Sequence, residues 1–134
     1  MWESGLNIDA LLTALIGFEP DAFHHRATFS PWIPAKWKFI RSGKLRIGET
    51  YCSLFSERKG KKERHTIESL SGHPLEVQLN LRSQHSDTVH SSTKHSTTMN
   101  GKSAEISWRK NRFGIYQSTI FLSLEPGEKH VIEF

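Results

Sequence analysis

The chain carries one cysteine, Cys52, in 134 residues, so it can form neither an intrachain disulfide nor a cluster of thiolate metal ligands. Cys52 sits in the run Tyr51-Cys52-Ser53-Leu54-Phe55 and is expected to be a small buried hydrophobe. A reactive thiol needs a base or cation beside it, and none is assignable from the spacing. No apolar run approaches the length of a membrane span, and the N-terminus lacks a basic stretch leading into an apolar segment with a small-residue cleavage site. No membrane partner is expected, and with a single cysteine a cytoplasmic setting is favoured. Core-forming residues are also scarce. Only 36% of the chain is hydrophobic, partly offset by eight Phe, four Trp and two Tyr, each of which buries a large apolar area.

Defined catalytic signatures are missing as well. There is no Gly-x-Ser-x-Gly elbow and no His-Glu-x-x-His, so neither a serine hydrolase nor a helical zinc site is indicated. His85, His90 and His95 recur at a step of five, which turns neighbours to opposite sides of a strand and rotates them off one helix face. His24 and His25, being adjacent, converge even less. No metal and no cofactor is expected. Glycoside hydrolysis needs two carboxylates across a cleft, whereas the acidic residues here are scattered between the N-terminal segment, outward strand positions and turns. No catalytic residue is expected in this chain.

The formal charge is +4, from 18 basic and 14 acidic residues. Its densest stretch is Arg58-Lys59-Gly60-Lys61-Lys62-Glu63-Arg64. This reads as a solvated hairpin tip turned at Gly60. No aromatic residues interleave with these cations as a single-strand binder requires, so nucleic acid is not expected as a partner.

Ile8, Leu11, Leu12, Leu15 and Ile16 follow the spacing of one apolar helical face, with Gly17 where a helix ends in positive φ. The other side carries Ala10, Thr13 and Ala14, small enough for a second close neighbour, so this helix is expected to be packed on more than one side. Phe18-Glu19-Pro20-Asp21 reads as a turn, and the prolines of Ser30-Pro31-Trp32-Ile33-Pro34 bar a helix. Beyond Trp37 only strands and turns are expected. The clearest strand is Leu75 to Arg82, with strict apolar/polar alternation. Others are expected near Trp37–Arg41, Glu49–Glu57, Glu63–Ser69, Ser103–Lys110, Ile115–Leu124 and His130–Phe134, with an edge strand near Ser92–Met99. Asn100-Gly101 marks a tight hairpin and Pro126-Gly127 a second turn. The expected fold is therefore mainly β: a small antiparallel β-sandwich over 37–134, preceded by one N-terminal α-helix within 1–17 and a proline-containing linker with a short strand over 18–36.

Aromatic rings stacked on sugar faces would make a binding module, and Trp32, Trp37 and Tyr116 are the candidates for such a platform. Trp108 shares a strand face with Ile106 and Ala104 and is expected in the core.

The order of these signals resembles one family. Trp2-Glu3-Ser4-Gly5-Leu6-Asn7, the helix up to Leu15-Ile16-Gly17-Phe18-Glu19-Pro20-Asp21-Ala22, then Phe29-Ser30-Pro31-Trp32-Ile33-Pro34 with Trp37, and Leu45-Arg46-Ile47-Gly48 look like the end of bacterial (α/α)6-barrel glycoside hydrolases of amylo-α-1,6-glucosidase and α-L-rhamnosidase type. Met99-Asn100-Gly101-Lys102 and the closing Leu122 to Phe134 are similar to hairpins of the β-sandwich that follows the barrel in those enzymes. The segment from Ser83 to Thr98 has no counterpart in this resemblance. The resemblance implies a non-catalytic C-terminal accessory domain, its face of Ile8, Leu11, Leu12, Leu15 and Ile16 packed on an (α/α)6 barrel in the same or another chain, or self-associating. The alternative is a stand-alone carbohydrate-binding module.

Overall fold

The computed structural model describes residues 15–34, 36–60, 62–83, 98–103 and 108–134. The strands are β1 (Glu19–Asp21), β2 (Arg26–Phe29), β3 (Phe39–Arg41), β4 (Leu45–Ile47), β5 (Thr50–Lys59), β6 (Lys62–Ser71), β7 (Leu75–Ser83), β8 (Thr98–Met99), β9 (Lys102–Ser103), β10 (Arg109–Lys110), β11 (Tyr116–Leu124) and β12 (Lys129–Glu133). They form two sheets. Sheet A has the order β1-β2-β7-β11-β10, and sheet B the order β3-β5-β6-β12-β8-β9, with β4 also on β5. The chain is mainly β, as its patterning implies.

The sheets form because period-two sequences give each strand one apolar face. On β7, Leu75, Val77, Leu79 and Leu81 are buried, and in register on β11 stand Leu124, Leu122, Ile120 and Ser118. From sheet B, β5 contributes Cys52 and Leu54, β6 contributes Ile67, and β12 contributes Ile132. Ile40, Leu45 and Ile47 arrive from the short edge strands β3 and β4. These side chains form one continuous cluster, in which each fully buried Leu, Ile or Phe contributes about 1.5–3 kcal/mol.

The turns follow from backbone chemistry. Gly60 has φ 62° at the β5–β6 hairpin, which brings Lys59 opposite Lys62. Asn100 and Gly101 have φ 53° and 77°, and Met99 pairs with Lys102 around them. Two consecutive positive φ values are what a two-residue hairpin loop demands. The turn at Pro126-Gly127, with Gly127 at φ 84°, has another use than the closing hairpin implied by the resemblance. It carries the chain from β11 in sheet A to β12 in sheet B.

Other expectations meet corrections at the front of the chain. The helix expected from Ile8 to Ile16 lies outside the described residues except for Leu15 and Ile16, and no α-helix occurs among the described residues. Ile16 is buried and Leu15 packs against the core. Glu19–Asp21, read as a turn, is strand β1 paired with β2, and the reversal falls at Ala22–His25 instead. The sandwich is not wholly antiparallel either, because β2 runs parallel to β7, Arg26 beside Glu76 and Phe29 beside Leu79. A parallel pair needs a long connection, and here the chain visits β3 to β6 in sheet B between the two strands. β2, Arg26-Ala27-Thr28-Phe29, falls within the 18–36 segment, where a short strand is expected with neither a position nor a direction assigned to it.

Candidate functional site

The entry segment is held at the end of the sandwich. Gly17 has φ 61°, and a Cβ there would fall 2.6 Å from the Ser30 Cβ, so close approach as well as φ demands glycine. The Ser30 and Trp32 amides donate to the Ile16 and Leu15 carbonyls at 2.8 and 2.7 Å. Ile33 is buried in the core. Arg58 donates from Nη2 to the Ile33 carbonyl at 3.0 Å and to Glu63 Oε1 at 2.8 Å, so one guanidinium ties the proline segment to the β5–β6 hairpin.

Beyond Arg58 the polar chain continues inward. Glu63 Oε2 lies 3.7 Å from His65 Nε2, and Ser56 Oγ is 2.7 Å from His65 Nδ1. A serine, histidine and glutamate in this order have the connectivity of a nucleophile, base and orienting acid. Their setting removes that role. Ser56 is 0% and His65 2% exposed, and the His65 ring stacks on Phe134 at 5.5 Å, so no substrate carbonyl has a path to Ser56. Burial acts to raise the Glu63 carboxyl, but the nearby His65 ring and the hydrogen-bonded Arg58 guanidinium outweigh it and hold the group below its ordinary range. The arrangement is a satisfied buried network.

Near it, a hollow of about 110 Å³ is bordered by Glu57, Glu63, Glu133, Lys59, Lys62 and Arg64. Carboxylates around a hollow invite a glycosidase comparison. Arg64, however, bridges Glu57 at 3.3 Å and Glu133 at 2.8 Å. Its guanidinium takes the interval in which a glycosidic oxygen would lie. Glu63 is moreover shifted down, the reverse of what a general acid needs.

The outer face of sheet A is different. Gln78, Asn80 and Arg82 of β7 stand beside Gln117, Thr119 and Phe121 of β11, the register pairing Gln78 with Phe121, Asn80 with Thr119 and Arg82 with Gln117. Asn80 is the hub. Its Oδ1 accepts from Gln78 Nε2 at 3.2 Å and Thr119 Oγ1 at 3.1 Å, and its Nδ2 donates to Ser30 Oγ at 3.0 Å. Arg82 donates to the Ser30 carbonyl at 3.2 Å and lies over the Trp32 ring at 5.1 Å. Arg26 and Glu76 pair at 2.9 Å. Phe121 is 76% exposed. Two hollows lie end to end along β7 and β11, one of about 370 Å³ between Ser30, Arg82 and Gln117, the other of about 360 Å³ between Thr28, Gln78 and Phe121.

The three aromatic candidates do not pack on one another. Trp32 carries Arg82 on its face, Tyr116 carries Lys110 at 5.8 Å, and Trp37, 47% exposed, stands ahead of β3 on the other sheet. Trp108 packs on Phe134 at 5.1 Å beside the core; Ala104 and Ile106 lie outside the described residues. Of the expected packing face, Ile8, Leu11 and Leu12 lie outside the described residues, as do His85, His90 and His95. Among the described residues no group of three or more His, Cys, Asp or Glu is placed to hold a metal. Cys52 is free and fully buried, and burial pushes its thiol up to about 12.

Sequence reasoning passed over Phe121 and the Ser56–His65 contact, and both had a signal. Ile120, Leu122 and Leu124 on one face leave Phe121 on the wet face. A hairpin turned at Gly60 sets Ser56 opposite His65.

Comparison of the chain with family models, curated proteins and solved structures gives no match.

Proposed function

We infer that the chain is a non-catalytic accessory β-sandwich of a glycoside hydrolase-like protein, packing against an (α/α)6 catalytic barrel in the same or another chain. The observation that carries this reading is the built-in entry segment. Residues that the resemblance places between a last barrel helix and the sandwich are bolted to it by the Gly17–Ser30 contact, the two backbone bonds to Leu15 and Ile16, and Arg58 on the Ile33 carbonyl. A domain that must hold a preceding element at a fixed angle needs such an inflexible joint. The burial of Ser56 and His65 and the bridging of Glu57 and Glu133 by Arg64 agree with a structural task for the polar groups of this chain.

The test is the behaviour of the purified chain. Light scattering is expected to show self-association through Ile8, Leu11 and Leu12 of the expected face, Leu15 and Ile16 being engaged by the sandwich core, and Leu11→Glu with Leu12→Glu to abolish it. A stable monomer that binds no apolar-surface dye would count against the reading. So would hydrolysis of aryl glucosides or rhamnosides that disappears in Glu63→Gln.

A further inference from the structure

Along sheet A, the outward positions of β7 and β11 form a trough whose chemistry is unlike that of the rest of the surface. From Arg82–Gln117 to Glu76–Ser123 it runs for six residue steps, roughly 20 Å at about 3.3 Å per residue. That is room for several pyranose rings in a row. Its floor offers amides and hydroxyls, each able to donate and accept. The Asn80 hub fixes the Gln78, Thr119 and Ser30 side chains relative to one another, so their remaining donors and acceptors are aimed before any ligand arrives, which lowers the ordering cost of binding. Arg82 is steadied by Trp32 and the Ser30 carbonyl.

Two features select the ligand class. The charges beside the trough are few, because Arg26 and Glu76 neutralise each other and leave two cations, Arg82 and, opposite Gln117, Arg109, too little for a polyanion. At the far end Phe121 presents a ring 76% exposed directly beside Gln78. An apolar ring next to an amide fits a molecule that alternates a C–H face with a rim of hydroxyls.

We propose that this trough is a binding site for a neutral oligosaccharide, with Phe121 stacking on one sugar ring and Gln78, Arg82 and Gln117 hydrogen-bonding the hydroxyls of its neighbours. Asn80 is a positioning residue. The site goes beyond the accessory role and holds whether or not a barrel accompanies the chain. It also moves carbohydrate recognition away from Trp37 and Tyr116, leaving Trp32 as a buttress behind Arg82.

The experiment is calorimetric titration of the whole chain with neutral hexasaccharides: α-1,4- and β-1,4-linked glucose, β-1,4-linked xylose and β-1,4-linked mannose. At least one is expected to bind saturably, with Phe121→Ala and Gln78→Ala each weakening it roughly tenfold at an unchanged unfolding midpoint. Asn80→Ala is expected to weaken binding similarly, and Asn80→Asp to restore part of it through the retained Oδ1 acceptor. Phe39→Ala on the opposite sheet is expected to leave affinity unaltered. No binding across the panel overturns the proposal. So does binding that Phe121→Ala and Gln78→Ala leave intact, or a preference for heparin over every neutral sugar.

Discussion

The outer faces of sheets A and B arise from the same alternation of side chains and differ in how their polar groups are occupied. On sheet B they are ionic and mutually engaged. Arg64 bridges Glu57 and Glu133, Lys62 lies 3.9 Å from Glu133, and Arg41 and Lys44 lie over Phe55 and Tyr51 at 5.0 and 5.4 Å. On sheet A one ion pair, Arg26–Glu76, stands at one end, and the middle of the face holds neutral amides and hydroxyls linked through Asn80, with the Phe121 ring in solvent. Charges that neutralise each other keep a face soluble and leave little to offer a ligand. Directional neutral groups held in place have bonding capacity to spare.

The largest expected effect tests what the faces share. Leu79→Ala in sheet A and Ile67→Ala in sheet B, both 0% exposed, should each cost about 2–5 kcal/mol in urea unfolding, because one core serves both sheets. A loss confined to one of them would mean that the sheets unfold separately. Next is the buried network, where Glu63→Gln removes the charge facing Arg58 and His65 and should lower stability by about 2–3 kcal/mol. The same residue sets an acid dependence. Its folded-state pKa lies below the ordinary 4.5, so the unfolded chain takes up this proton first. The stabilisation is complete above about pH 4.5 and is lost as pH falls through the folded value. Between pH 6 and 3 the wild type should therefore lose more stability than Glu63→Gln; parallel curves would remove the ionic account of this network.

Smaller effects separate the faces. Arg64→Ala should cost no more than about 1 kcal/mol, an effect that shrinks in added salt because the pairs are partly exposed. Gln117→Ala should change stability by less than about 0.5 kcal/mol. If Gln117→Ala proved the more destabilising of the two, sheet A's outer face would be structural and the contrast would fail. Smallest in energy and easiest to see, Cys52 should resist a disulfide thiol reagent in the folded state and react at once in denaturant, because the buried thiol, raised to about 12, gives almost no thiolate at neutral pH.

Alternation from Leu75 to Arg82 and from Ile115 to Leu124, the basic tip at Gly60 and the Asn100-Gly101 turn were all legible in the sequence. In each, a local rule of side-chain period or positive φ suffices. The short strands β1 and β4 were not, and β2 only as an unplaced short strand within 18–36, since three or four residues carry too little pattern and each is stabilised by the strand it joins. The same holds for the polar groups. That Ser56 and His65 meet could be read from hairpin register, but the burial of both, with His65 stacked on Phe134, could not.

By itself, then, the sequence determined that the chain would build strands with one wet face, turned at Gly60 and Asn100-Gly101, without a disulfide, because these follow from residue type and near-neighbour spacing. Tertiary structure alone decided that β2 would lie parallel to β7, that Pro126-Gly127 would pass between sheets, and that Asn80 would gather Gln78, Thr119 and Ser30. Each of these depends on residues far apart in the chain, such as Ser30 and Asn80, and which strands become neighbours is settled only by burying one common core.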